Sequence, residues 1–141
     1  MELILIKNVP LVPLQKAVFK MLKEGQKVKA YGNVPSNSDL PYITIGSVTA
    51  TPVSDKTGSL WNAAINIDVW ADAQQKQLVN DVLNDVCVLA SYYGATDSDE
   101  KMQLDGFNIV NCSIGTVEAF PELTTGYHGT ITLNFVIQNI D

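Results

Sequence analysis

Residues 61–71 alternate without a break: Trp61, Ala63, Ile65, Ile67 and Val69 are apolar, and between them stand Asn62, Ala64, Asn66, Asp68 and Trp70. A period of two commits the segment to a β-strand with one face in a core and a mostly polar face opposite. The rest of the chain has to be arranged around a sheet. On either side of the strand the period changes to that of a helix. Leu14, Ala17, Val18, Met21 and Leu22 recur at helical spacing behind Pro13, which fits a first turn, and Gly25 ends the run. Leu78, Val79, Val82, Leu83, Val86, Leu89, Ala90 and Tyr93 form a second, broader stripe that stops at Gly94. Asp72 is placed to cap that helix, with Gln75 as its capping-box partner.

Three further strands are predicted. Pro41 opens one in which Ile43 and Ile45 share a face, and beyond Gly46 the apolar positions shift to Val48 and Ala50, the phase change of a bulge. Phe107 to Ala119 and Tyr127 to Ile140 supply the others, the last with Ile131, Leu133, Phe135 and Ile137 on one face. The N-terminal Leu3-Ile4-Leu5-Ile6 reads as a core-facing strand or arm rather than a signal peptide, which places the protein in a cytoplasm. The element order predicts an α+β fold: an antiparallel or mixed sheet of about four strands with two helices packed on one face. The length of 141 residues suits one domain spanning 1–141.

Composition narrows the function. Charged residues make up 17% of the chain, against about a quarter in an ordinary globular protein. Asn, Thr, Ser and Gln take their place, which suits neutral, hydrogen-bonding contact surfaces. A formal net charge of −6 removes the basic footprint that governs nucleic-acid affinity. The acidic run Asp97, Asp99, Glu100 reads as a solvated loop. No stretch reaches the roughly 20 apolar residues that span a bilayer, so no membrane partner is expected.

Chemistry-bearing residues do not cluster in the sequence. His128 is the one histidine, with no serine or cysteine pattern to make it the base of a nucleophile. Cys87 and Cys112 lie inside apolar patterns without ligand spacing and read as buried thiols. No glycine run forms a phosphate cradle. The expectation is a non-enzyme with no catalytic residue, no cofactor and no metal. Trp70 stands out because the alternation puts it on the polar side of its strand, where an indole either marks a contact surface or is buried under a helix end.

The succession Tyr31-Gly32-Asn33-Val34-Pro35, Pro41-Tyr42-Ile43-Thr44-Ile45-Gly46, Ile67-Asp68-Val69-Trp70 and His128-Gly129 leading to Phe135-Val136-Ile137-Gln138 resembles the tail-terminator, or tail-completion, proteins of long-tailed siphophages and prophages. The resemblance runs from the first helix to the last strand. It implies a self-associating ring, commonly a hexamer, that caps the tail tube, stops its polymerisation and presents a docking surface to the head. The implied partners are other copies of the chain, the tail tube protein and a head-completion or connector protein. DNA would pass through without specific binding, helped by the net acidity. The implied place is the host cytoplasm during assembly and then the head-proximal end of the virion tail. Another neck, connector or tube-related protein is the alternative within the same biology. A small-molecule-binding ferredoxin-like domain is the alternative from a different class, and it would need a pocket of convergent polar groups.

Two connections are candidates for partner contact. The first, Thr51 to Ser59, is longer than a hairpin requires and is expected to be mobile in the free protein and ordered on the tube. Pro52, Val53, Asp55, Lys56 and Gly58 are its contact candidates, with Trp70 added to them. The second runs from Phe120 to Gly126 and offers Glu122, Leu123 and Thr124.

Overall fold

In the computed structural model, residues 9–53, 60–94 and 101–140 are described. The N-terminal run Leu3–Ile6 and the acidic run at 97–100 lie outside them. The helical spacing behind Pro13 becomes α1 (Leu11–Gly25), which buries Leu14, Ala17, Val18, Met21 and Leu22. Pro13 sits in its first turn, where a missing N–H costs nothing. The helix ends into an extended Gln26, whose side chain ties the exit: Nε2 donates to the Leu22 carbonyl at 2.8 Å, and Oε1 accepts from the Val28 N–H at 2.7 Å.

That tether aims the chain at β1 (Ala30–Tyr31), which lies parallel to β2 (Tyr42–Pro52). Next come β3 (Leu60–Ala71), α2 (Lys76–Tyr93), β4 (Phe107–Glu122) and β5 (Gly126–Asn139). The sheet has five strands in the order β1-β2-β3-β5-β4, so it is mixed, and the fold is α+β. The strand count exceeds the expected four by β1, a two-residue strand with no period of its own to read. The register of β2 against β3 slips between Ile45 and Val48, which puts the bulge at the Gly46 phase change.

Both helices pack on the face that carries Ile43, Ile65, Ile67, Val69, Ile131, Leu133 and Ile137, all 2% exposed or less. α1 covers β1 and β2, and α2 covers β3, β5 and β4. Two close approaches depend on glycine. A Cβ on Gly129 would stand 2.6 Å from Val79, and one on Gly94 would stand 2.7 Å from Cys112, where the end of α2 settles on β4.

Two expectations are corrected. The Phe120–Gly126 connection is not a long loop: the ladder continues through Pro121↔Tyr127 to Glu122↔Gly126, leaving only Leu123 to Thr125 in the turn. Pro121 fits a strand because β4 is an edge. The helix after β3 begins at Lys76 rather than directly behind Asp72. Asp72 instead closes a turn with its capping-box partner. Its Oδ1 accepts from the Gln74 N–H at 2.8 Å, and Gln75 Oε1 accepts from the Asp72 N–H at 3.0 Å.

Candidate functional site

Among the described residues no helix covers the second face of the sheet, and the chemistry of that face is polar. Asn66, Asp68 and Trp70 on β3 share this face with His128, Thr130 and Thr132 on β5, because Asn66↔Thr132, Asp68↔Thr130 and Trp70↔His128 are directly opposite. Cross-strand pairs that share a face are the units that stabilise a sheet. Here they fuse into one network. Asn66 Oδ1 accepts from Thr130 Oγ1 at 3.0 Å and from Thr132 Oγ1 at 3.2 Å, and its Nδ2 donates to Asp68 at 3.3 Å. Trp70 Nε1 donates to Thr44 Oγ1 on β2 at 2.9 Å.

His128 is the hub. Its ring stacks on Trp70 at 3.9 Å between centroids with 20° between planes, and Phe120 of β4 leans on it at 5.0 Å. His128 Nε2 lies 2.8 Å from Asp68 Oδ1, while Nδ1 faces Glu122 Oε2 at 3.9 Å. Side-chain exposures are 12% for His128 and 13% for Asp68, so the pair is largely sheltered from water. Both ring nitrogens look toward carboxylates, not toward a hydroxyl or thiol. The arrangement therefore joins four strands at one level and does not poise a nucleophile. Among the described residues no group of three or more His, Cys, Asp or Glu is placed to hold a metal.

Trp70 is consequently half-buried and pinned by a hydrogen bond and a stack, not a free-standing indole. It also stands apart from the loop with which the sequence grouped it. That loop leaves β2 at Pro52 and rejoins at Leu60, the start of β3, whereas Trp70 is at the other end of β3, beside the β4–β5 turn. Pro52 is exposed and Val53 is half-buried, its N–H donating to the Leu60 carbonyl at 2.9 Å. Asp55, Lys56 and Gly58 lie outside the described residues. In the second turn Leu123 is fully exposed, and Glu122 Oε1 accepts from the Thr124 N–H at 3.3 Å. The 12 residues of β3 at a rise of about 3.3 Å put its two ends roughly 40 Å apart, with Leu60, where the first connection rejoins, at one pole of the sheet and the β4–β5 turn beside the other.

The thiols differ from the sequence reading in degree: Cys87 and Cys112 are half-buried. Burial raises the pKa of both, and that of Cys112 rises from the ordinary 9.0 to about 11. The native state therefore keeps a proton on Cys112 that the unfolded chain releases. That contribution to stability is complete below about pH 9 and is lost as pH climbs toward 11. Native protein treated with iodoacetamide at pH 8 is expected to be alkylated at Cys87 well before Cys112, as read by mass spectrometry of peptides. Faster modification of Cys112 would contradict the packing of α2 on β4.

The fold also occurs in solved structures of other proteins. A chain in the virion of a native gene transfer agent (GTA) particle superposes with a TM-score of 0.75 at 19% identity, over 89% of this chain and 95% of that one. The bacteriophage SPP1 gp17 protein superposes with a TM-score of 0.50 at 20% identity, over 92% of this chain and 90% of that one. These likenesses establish the fold. Family membership comes from the sequence: the family "Tail completion protein gp17" matches residues 16–138, and the chain belongs to it. It is a structural protein of the phage tail. Among curated proteins no relative matches.

Proposed function

We propose that the protein assembles into a closed ring, six-fold in the reading that the resemblance implies, that caps the tail tube, halts its polymerisation and offers the head a surface to dock on. The observation that carries this reading is the placement of the two turns at opposite poles of the sheet, on a chain of the tail-completion family. A cap between tube and head needs two separate partner surfaces on each subunit. In this reading residues 52–58 are the tube contact and Glu122, Leu123 and Thr124 form the second contact surface, at the other end of the sheet. The low charge and net acidity of the chain suit a passage that DNA crosses without being held.

Replacing residues 54–59 with an Asn-Gly turn is expected to leave the sheet paired, since the Val53 N–H already donates to the Leu60 carbonyl and a two-residue turn can close a hairpin between them. Tails assembled with that variant are expected to overgrow or to fail to join heads, as measured by electron microscopy of tail lengths and by particle yield. Tails of normal length that yield infectious particles would remove this segment as the tube contact.

A further inference from the structure

The sheet ends in two strands that are open along most of their outer edges among the described residues. β4 is 16 residues long and has only β5 beside it, while β2 is covered by β1 at Ile43 and Thr44 alone. The hydrogen bonds say which backbone groups face outward. Ile140 N–H donates to the Gly106 carbonyl, which makes Phe107↔Asn139 a pair whose own N–H groups point away from each other. Following that phase along β5, Ile114, Val117 and Ala119 aim their N–H and C=O groups away from the sheet. On β2 the Val53-to-Leu60 bond sets the phase, and Val48 and Ala50 aim outward. Pro52 and Pro121 occupy the same outward phase, where a missing N–H leaves the ladder intact.

Proteins ordinarily guard such edges with charge. Here no Asp, Glu, Lys or Arg occurs from Tyr42 to Pro52 or from Phe107 to Val117. On the helix side of this edge two apolar side chains are uncovered: Ile114 is 38% exposed and Val117 is 43%, although they stand opposite buried Leu133 and Ile131.

The geometry points to strand addition between copies of this chain: the open edge of β4 pairs with the open edge of β2 of a second copy, antiparallel and head to tail. Three features select a second copy as the occupant. Aligned backbone donors and acceptors call for a strand, and the same chain carries an uncharged open edge on the far side of its sheet. β2 runs parallel to β5 and antiparallel to β4, so placing the next subunit alongside with its helices on the same side makes the new ladder antiparallel, like the β2·β3, β3·β5 and β4·β5 ladders. The outward residues of both edges, Ile114 and Val117 on one and Val48 and Ala50 on the other, carry their side chains on the helix side, so apolar meets apolar across the junction. Pairing two different edges is heterologous, and repetition of it closes a ring or continues as a filament. The inference rests on the ring proposed above and supplies its subunit junction.

Val117→Pro and Ala50→Pro each remove an outward donor without touching an internal ladder, and Val117→Lys places a charge on the same edge with the backbone unchanged. Each variant is first checked for a wild-type thermal unfolding midpoint; Val117→Lys carries the test if a proline variant does not fold. Sedimentation over a concentration series, alone and on purified tail tubes, then reads assembly. Each variant is expected to raise the half-assembly concentration at least about tenfold. An equal mixture of Val117→Pro and Ala50→Pro retains one intact junction and is expected to stop at a dimer. Dimers of Ala50→Pro alone would show β4 pairing with β4 about a two-fold axis, and would overturn the head-to-tail assignment. Rings that persist in every variant would overturn the edge junction and leave the cap standing. A wild-type chain that stays monomeric even on tubes would remove the ring itself.

Discussion

Replacing Ile67 by alanine is expected to lower the midpoint of thermal unfolding by roughly 10–15 °C, from a loss of about 3–4 kcal/mol at a few degrees per kcal/mol for a chain of this size. Ile67 is fully buried at the centre of the sheet, between Ile45 on β2 and Ile131 on β5, beneath the helix layer. Three carbon atoms leave a site that cannot collapse. The strands on both sides are held by their ladders, so the cavity stays open and its cost adds to the lost transfer energy. Ile67→Val, which removes one methyl, is expected to cost about 1 kcal/mol. Calorimetry on both variants checks the gradation. A drop below about 3 °C for the alanine variant would mean that this position does not lie in the core.

Gly126→Val is expected to destabilise the protein by about 3 kcal/mol or more and to loosen the β4–β5 turn first. Gly126 adopts φ +121°, outside the range open to a β-branched residue. A Cβ there would also press on the backbone nitrogen of Ala73 and stand 2.9 Å from the Asp72 carbonyl carbon. Those atoms belong to the turn that Asp72 and Gln75 close between β3 and α2, so the collision has backbone on both sides. Gly106 provides the comparison. It has φ +83° in the turn closed by the Phe107 N–H on the Leu104 carbonyl, but no atom lies within 4 Å of its missing Cβ. Gly106→Ala therefore carries the φ penalty alone, about 1–2 kcal/mol. Hydrogen exchange by mass spectrometry on both variants is expected to show protection lost at residues 120–128 only in Gly126→Val. Equal loss in both would discount the contact with Ala73.

The sheet and its helices were legible because burial imposes period on a sequence. The unbroken alternation of Trp61 to Val69 becomes the strand flanked on both sides, and the phase change at Gly46 becomes a register slip. The stripe from Leu78 to Ala90 becomes the face of α2 turned to the sheet. What escaped has no local signature. Ala30 and Tyr31 become a strand only because Ile43 and Thr44 stand beside them. The extension of β4 through Pro121 depends on its being an edge, and edge position is a property of strand order rather than of any segment. The surface was harder still. Asp68 and His128 are 60 positions apart and meet at 2.8 Å only because β5 inserts between β3 and β4. Trp70 stands out by its parity, but parity does not reveal that Thr44 and His128 hold it. The separation of the two turns to opposite poles likewise follows from strand direction, which single segments do not encode.

The strand order also sets a sequence of events for the newly made chain. β2 with β3, and β4 with β5, are hairpins that zip from nearby residues, whereas β3 and β5 meet across α2, with Trp61 opposite Ile137 and Ala71 opposite Tyr127. Closing that seam costs the loop entropy of the whole intervening stretch before any of its apolar pairs is rewarded. The seam is therefore expected to be the slow step of folding, and it cannot begin until β5 has left the ribosome. Until then the inward edge of the β2–β3 hairpin is without its partner, and a chain that stalls or ends short of residue 126 never acquires a continuous sheet.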